Sequence, residues 1–101
     1  MKKLVLSHRA RNELRDIYLY TLDTFGLAQA DQYHAQLQNA FNLLRQFPEL
    51  GRPKDTLRPG LRLYAAGRHL ILYTVAEAIE IEGLPHDSRD LDAYVATGKR
   101  G

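Results

Sequence analysis

The chain has 101 residues, of which 14 are basic and 12 acidic, and it contains no cysteine. A chain of this length gives room for one domain, and the lack of cysteine excludes disulfides, thiolate nucleophiles and cysteine-based metal sites. We therefore expect a single domain over residues 1–101. The first apolar run, residues 4–6, is too short for a membrane span or for the core of a signal peptide, so we expect a cytoplasmic protein.

The first half of the chain has the patterns of a short strand and two helices. Residues 2–6 are the strand candidate, and Ser7 is positioned to cap the helix that follows. Apolar residues then recur at helical spacing as far as Gly26, which predicts a helix end because glycine readily takes a positive φ. A second helical pattern ends before Pro48, since proline disfavours helical geometry at the residue before it. The short link predicts an antiparallel helical hairpin.

The second half has the alternation of β-strands. Residues 61–64, 69–75 and 79–82 have strand patterns, with a turn at Gly67, and residues 90–97 have the pattern of a short helix. The apolar side of a helical hairpin needs a surface to cover it. We therefore predict an α+β fold in the order β-α-α-β-β-β, with the hairpin on one face of an antiparallel sheet and a short C-terminal helix.

Alternation along a strand also predicts which side chains share a face of the sheet. We assign Leu61 and Leu63 to the face that the hairpin covers, which places Arg62 and Tyr64 on the opposite face. Because helices are expected on one face only, we predict that this second face is open to solvent or to a partner.

Charge is unevenly distributed along the second half. Five basic residues and one acid give residues 52–69 a net charge of +4, whereas six acids against one arginine give residues 70–98 a net charge of −5. A local basic region suits an anionic partner, but the acidic stretch argues against a general nucleic-acid binder. We expect no membrane contact and no sequence-specific binding of nucleic acid.

Several short motifs follow one another in a fixed order along most of the chain. They are Leu6-Ser7, Tyr33-x-x-x-Leu37-x-x-x-Phe41-x-x-Leu44, Phe47-Pro48-x-Leu50-Gly51-Arg52, Leu57-Arg58-Pro59-Gly60-Leu61-Arg62, Gly67-Arg68-His69-Leu70-Ile71-Leu72-Tyr73, and His86 with Arg89-Asp90. Together they resemble the ParE branch of the RelE/ParE toxin superfamily, the toxin halves of bacterial type II toxin–antitoxin pairs.

This resemblance implies a function that composition and spacing do not. Toxins of the ParE branch inhibit DNA gyrase, and a cognate antitoxin neutralises them by wrapping a flexible C-terminal segment around the toxin. The resemblance therefore implies a protein inhibitor without catalytic residues, cofactor or metal ion, with gyrase and an antitoxin as its partners. The fold of the family, a helical hairpin over an antiparallel sheet, agrees with the fold that the patterns predict.

Seven basic or aromatic residues are candidates for contact with the target. They lie on the predicted open face of the sheet or at its rim. We expect Arg58 and Arg62 to contribute most, because arginine is a frequent hot spot at protein interfaces. The seven are Arg58, Arg62, Tyr64, Arg68, His69, His86 and Arg89.

Four other residues are candidates for contact with the antitoxin. Leu19, Leu22, Ala35 and Leu43 lie off the core-facing sides of the two predicted helices. An apolar groove along such helices suits a disordered segment that folds on docking. A wider core stripe is the alternative interpretation of the same four residues.

Two other functions fit the same motifs. One is a ribosome-dependent messenger-RNA endonuclease of the RelE branch, in which Arg62, His86 and Tyr94 would be catalytic candidates. The other is a non-toxic domain that keeps the fold and binds an antitoxin.

The last predicted strand carries two glutamates that share one face. Glu80 and Glu82, with His86, would supply three metal ligands, but a solvent-exposed strand face with an arginine partner such as Arg62 is the simpler interpretation.

Overall fold

A helical hairpin and a five-stranded sheet make up most of the computed structural model, which describes residues 1–98. The order of elements confirms the predicted α+β fold, including the short C-terminal helix. The predicted domain end at Gly101 lies outside the described residues. The elements are β1 (Lys3–Leu6), α1 (His8–Phe25), α2 (Leu27–Gln46), β2 (Arg52–Pro53), β3 (Arg62–Ala66), β4 (His69–Val75), β5 (Ala78–Gly83) and α3 (Leu91–Gly98).

Local signals set the ends of the two long helices. The Ser7 hydroxyl accepts a hydrogen bond from the Ala10 backbone N–H at 3.0 Å, which satisfies one of the free donors at the start of α1. Gly26 has φ +93° and is the one residue between α1 and α2, so the chain reverses there into the predicted hairpin. Helix α2 ends at Gln46, two residues before Pro48. None of the helices within residues 1–98 is long and apolar enough to cross a membrane.

The sheet has the strand order β1-β5-β4-β3-β2. The pairs β3–β4 and β4–β5 are antiparallel, as predicted, and β2 also pairs with β3 in antiparallel orientation, whereas the N-terminal strand β1 lies parallel to β5 at the edge. The opposite edge is β2, a two-residue strand in a segment without a strand pattern. Its Pro53 is tolerated because an edge strand does not need every backbone donor.

One hydrophobic core lies between the sheet and the helical hairpin. Its members on the helices include Ala10, Leu37, Phe41 and Leu44, and Tyr64 packs against it from β3. Because β-strand side chains alternate between faces, residues of β3, β4 and β5 at every second position complete this core. The buried strand residues in it are Ala66, Ile71, Tyr73, Ile79 and Ile81.

A second core lies on the other face of the sheet, under α3. Leu61, Leu63 and Leu72 are buried there against Tyr94 of α3. The prediction that Leu61 and Leu63 face the hairpin is therefore wrong, and so is the prediction of a second face free of helices. Alternation separates the two faces of a strand, but it does not say which face the hairpin covers.

Candidate functional site

The structure distributes the seven predicted target-binding residues over different parts of the molecule. Arg68, His69 and His86 line one cleft. Each of the other four has its side chain engaged with a neighbour inside the fold. These four are Arg58, Arg62, Tyr64 and Arg89.

The cleft has a volume of about 440 Å³ and lies where the tip of the helical hairpin meets the start of β4. We call it the hairpin-tip cleft. Residues from the end of α1 and from the first two turns of α2 form one wall, and β4 with the loop after β5 forms the other. The lining residues are Tyr20, Thr21, Phe25, Gln29, Tyr33, Arg68, His69 and His86.

Backbone pairing brings the two histidines together. His69 and His86 form an isolated antiparallel bridge, because the chain after β5 continues beside the start of β4. The Leu70 N–H donates to the Pro85 carbonyl and the Asp87 N–H to the Arg68 carbonyl, each at 2.8 Å. The two imidazole rings meet edge to face, with their centroids 5.4 Å apart. Two histidines separated in sequence thus present one continuous surface.

Tyr33 of α2 anchors the start of β4. Its hydroxyl accepts a hydrogen bond from the Arg68 backbone N–H at 2.9 Å and lies 2.6 Å from Nδ1 of His69. Gly67 has φ +61°, and a Cβ at this position would lie 2.5 Å from Cε1 of Tyr33. Glycine is therefore needed both for the turn and for the close approach of the ring. Sequence reasoning missed Tyr33 as a site residue because its helical spacing marked it only as core.

The hydrogen bonds of Tyr33 set the tautomer of His69. The Tyr33 oxygen accepts from the Arg68 N–H, and its own hydrogen has two acceptors in reach, Nδ1 of His69 at 2.6 Å and the Ala66 carbonyl at 3.4 Å, of which the shorter contact is the stronger. Burial raises the pKa of Tyr33, so this hydrogen stays on the phenol at neutral pH. Burial and the neighbouring His86 lower the pKa of His69, with Asp87 opposing them. A lowered pKa favours the neutral form of His69, and donation from Tyr33 to Nδ1 favours the tautomer with its hydrogen on Nε2.

His86 and Arg68 share one carboxylate. Nδ1 of His86 accepts the Ser88 backbone N–H at 3.1 Å and lies 3.1 Å from Oδ1 of Asp87. Nε of Arg68 lies 3.5 Å from Oδ2 of the same Asp87. The Arg68 side chain is 74% exposed, so most of its guanidinium donors face solvent.

The arginines that were expected to contribute most have internal partners. Arg58 forms an ion pair with the carboxylate of Glu82, so the partner of this glutamate is Arg58 and not Arg62. Arg62 donates from Nη1 to the carbonyl oxygens of Gly51 at 2.7 Å and Glu49 at 3.2 Å. Their role in target contact remains a prediction.

Arg62 and Tyr64 do not lie on an open face of the sheet. Arg62 pairs directly with Tyr73, whose side chain belongs to the core under the hairpin, and Tyr64 packs against the same core. Their prediction as open-face residues is wrong, because the face of β3 that they share is the one that the hairpin covers.

A cluster of three side chains fixes α3 to α1, and we call it the α3 clamp: Arg9, Glu13 and Tyr94. The Tyr94 hydroxyl donates to the Glu13 carboxylate, and the Arg9 guanidinium lies 3.4 Å from the centre of the Tyr94 ring. Tyr94 is only 2% exposed. Burial and the hydrogen bond to Glu13 raise its pKa far above the ordinary value. Arg89 lies above the same ring at 5.4 Å.

The structure separates the three metal-ligand candidates. Glu82 is paired with Arg58, Glu80 is exposed on β5, and His86 lies in the hairpin-tip cleft. Within residues 1–98, no three histidine or acidic side chains come close enough together to hold a metal ion.

The four predicted antitoxin-binding residues lie outside both cores. Leu19 is 51% exposed and Ala35 is exposed, whereas Leu22 and Leu43 are half-buried. Leu43 lines a groove of about 280 Å³ between α2 and β3, together with Tyr64. These positions agree with their placement off the core-facing sides of the helices, and contact with an antitoxin remains a prediction.

Comparison with known proteins decides the family. Residues 4–91 match the family described as the ParE toxin of the type II toxin–antitoxin system parDE. The chain belongs to the ParE toxin family. This match starts at the second residue of β1, includes the helical hairpin, the remaining strands and the hairpin-tip cleft, and ends at the first residue of α3.

Individual relatives agree with this assignment to the ParE family. The chain is 35% identical over 95 residues to Toxin ParE1 of Caulobacter vibrioides, covering 94% of this chain and 99% of that one. It is 35% identical over 92 residues to Toxin ParE1 of Mycobacterium tuberculosis, covering 89% and 94%. A solved structure titled as a chromosomal ParDE TA system from P. aeruginosa has the same fold, with a TM-score of 0.73 at 19% identity over 85% of this chain and 96% of that one.

Proposed function

We propose that this ParE-family chain is a toxin that inhibits DNA gyrase and that a cognate antitoxin neutralises it. The observation that carries the proposal is the 35% identity to Toxin ParE1 over 94% of the chain. Gyrase works on chromosomal DNA, so the proposed site of action is the cytoplasm. Inhibition by binding requires no cofactor, and the proposed toxin domain covers residues 1–101.

Within the seven predicted target-binding residues, we place the centre of the target surface at Arg68, His69 and His86. Only these three share one open cleft, and their side chains carry donors that the fold does not use. The remaining four stay in the proposal as contacts of smaller effect, because an interface would have to compete for side chains that already have partners. These four are Arg58, Arg62, Tyr64 and Arg89.

Side-chain placement favours a protein inhibitor over a ribonuclease of the RelE branch. Acid–base catalysis on RNA requires its groups within hydrogen-bond reach of one phosphodiester. Tyr94 is buried and bonded to Glu13, and Arg62 is held by the backbone carbonyls of Glu49 and Gly51 between α2 and β2. With His86 in the hairpin-tip cleft, the three catalytic candidates do not face a common space.

The experiment that tests the function uses the purified chain without an antitoxin. Supercoiling by gyrase and translation in a cell-free extract are measured in parallel, with a readout for trapped DNA cleavage. We expect supercoiling to be blocked while translation continues. Intact supercoiling with cut messenger RNA would instead support the ribonuclease function. If neither reaction is affected and cells expressing the chain grow normally, the non-toxic antitoxin-binding domain is the better account.

Leu19, Leu22, Ala35 and Leu43 are the proposed antitoxin contacts. Leu22→Glu should weaken the binding of a candidate antitoxin from a neighbouring reading frame at least tenfold, roughly the effect of losing one buried leucine contact. Thr24→Glu adds the same charge at an exposed position of α1 and serves as the control. Affinity is measured by titration calorimetry and folding by a melting curve.

Leu19→Glu provides a second test of this surface. Because Leu19 is more exposed than Leu22, its replacement should not disturb the packing of the core. Unchanged affinity in both leucine variants, with unchanged melting, would remove α1 from the proposed antitoxin surface.

A further inference from the structure

We propose that the hairpin-tip cleft binds a carboxylate that lies next to a large apolar side chain, as an acidic segment of the gyrase surface would present it. The identity of this partner rests on the proposed function. The chemistry of the ligand follows from the side chains that line the cleft.

The polar side of the cleft carries donors for which Asp87 is the one carboxylate partner that the fold supplies among the described residues. Nδ1 of His69 is occupied by Tyr33, and Nδ1 of His86 accepts the Ser88 backbone N–H. With Nδ1 of His69 accepting from Tyr33, the remaining hydrogen of the neutral His69 ring lies on Nε2. Arg68 adds guanidinium N–H groups on a side chain that is 74% exposed. A ligand that satisfies these groups must supply acceptor oxygens.

The apolar side of the cleft is formed by aromatic rings. Tyr20 and Phe25 are each 66% exposed, and they stand at the end of α1 beside the Tyr33 ring. Exposed aromatic side chains that share a concave surface with a few convergent polar groups are typical of binding sites. The rings would cover one large apolar side chain, while the donors hold the adjacent carboxylate.

The same surroundings argue against a nucleic-acid phosphate as the ligand. Asp87 already lies 3.1 Å from His86 and 3.5 Å from Arg68, so one carboxylate is accommodated among these donors. A nucleic-acid strand would bring several phosphates toward residues 70–98, which carry six acids and a single arginine. A short acidic peptide brings one carboxylate and avoids most of this repulsion.

A peptide pair tests the chemistry of the cleft without gyrase. The side-chain resonances of His69 and His86 are followed by NMR at pH 7.5 during titration with acetyl-Phe-Glu-amide or acetyl-Phe-Gln-amide. We expect the glutamate peptide to shift both histidines and to bind about tenfold more tightly, because hydrogen bonds to an ionised acceptor are roughly twice as strong as neutral ones. Equal shifts with both peptides, or none, would overturn the inference.

Variants of the intact chain then test the function of the cleft in the supercoiling assay. Arg68→Ala removes the guanidinium, and His69→Asn keeps an acceptor for Tyr33 while it removes the Nε2 donor. Each variant should raise the concentration needed for half-inhibition at least tenfold, roughly the loss of one charge-assisted hydrogen bond. Arg52→Ala, which removes an exposed arginine on β2 outside the cleft, should stay near the wild type.

The outcomes separate this inference from the proposed function. Full inhibition by Arg68→Ala and His69→Asn would overturn the inference alone. A wild-type chain that leaves supercoiling intact would overturn the gyrase function and with it the identity of the partner, even where the glutamate peptide binds. Binding to gyrase-free DNA that is lost in Arg68→Ala would identify a phosphate as the ligand and would also overturn the inference.

Discussion

The α3 clamp and the hairpin-tip cleft contain similar side chains, but those of the clamp are bonded within the fold and those of the cleft are partly exposed. Each combines basic groups with a tyrosine, and each connects a helix of the hairpin to the C-terminal half of the chain. In the clamp, Arg9 donates to the Tyr94 carbonyl at 2.8 Å and to the Thr97 hydroxyl at 3.1 Å, so its donors have acceptors within the fold. In the cleft, Arg68 lies 3.5 Å from one carboxylate, that of Asp87, and its side chain is 74% exposed.

This comparison teaches how to judge a basic residue in an interaction patch. A guanidinium that is bound by internal carboxylates and carbonyls stabilises the fold, and using it for a partner would cost those bonds. A guanidinium or imidazole donor without an internal acceptor is available for a partner at little cost. Net charge along the sequence cannot distinguish the two, since Arg58 and Arg68 belong to the same basic stretch.

Glu13→Ala should break the clamp and give the largest effect on stability. The Glu13 carboxylate accepts from the Tyr94 hydroxyl, from Arg9 and from the Leu84 backbone N–H. Its loss leaves donors unpaired around a half-buried site, which should lower the free energy of unfolding by about 3 kcal/mol. Urea denaturation measures this difference. Glu77→Ala, at an exposed turn, should change the value by less than about 0.5 kcal/mol.

A smaller loss in Glu13→Ala, similar to that of Glu77→Ala, would show that the clamp does not hold α3. The contacts of Glu13 with Arg9 and Tyr94 would then contribute little to the stability of the fold, and the contrast with the hairpin-tip cleft would be lost.

Arg62→Ala should give an intermediate effect. Arg62 donates to two backbone carbonyls in the segment between α2 and β2. We expect the free energy of unfolding to fall by about 1.5 kcal/mol. Arg52→Ala removes an equal charge ten positions earlier and should be near neutral in the same denaturation experiment. Equal denaturation curves for Arg62→Ala and Arg52→Ala would show that Arg62 does not stabilise the fold. Its side chain would then be as available for target binding as that of an exposed arginine.

The pH dependence of stability should show the smallest effect and concerns His69. Its pKa is lowered in the folded chain by burial first and by His86 second. The unfolded state therefore takes up a proton at His69 more readily than the folded state does. As a result, the free energy of unfolding is unaffected by this group above about pH 6.5 and decreases as the pH falls below that value. His69→Asn should reduce the loss of stability between pH 7 and pH 5. Parallel pH profiles of the two proteins would contradict the assigned neutral state.

Local patterns predicted most of the secondary structure. The strand pattern over residues 69–75 coincides with β4, because its β-branched and aromatic residues end at a glycine turn on one side and a polar turn on the other. The helix ends at Ser7 and Gly26 were predicted because a cap and a positive φ depend on residues next to them in the chain. The family resemblance, carried by short motifs, agreed with the match over residues 4–91.

The candidate site was predicted only in part. Arg68, His69 and His86 were named from their position and residue type, but nothing in the pattern showed that His69 and His86 would touch. Tyr33 was missed because its bond to His69 joins residues 36 positions apart. Glu13 was missed for the same reason, since 81 positions separate it from Tyr94.

The sequence by itself determined the helices, the longer strands, the ends of the helical hairpin at Ser7, Gly26 and Pro48, and the family resemblance, because these depend on spacing, capping and turn residues that act over a few positions. Only the tertiary structure decided which face of β3 the hairpin covers and which arginines keep free donors. Alternation defines two faces without orienting them, and the partners of Arg58, Arg62 and Tyr94 come from distant segments. These assignments follow from packing two layers on one sheet, which no local pattern contains.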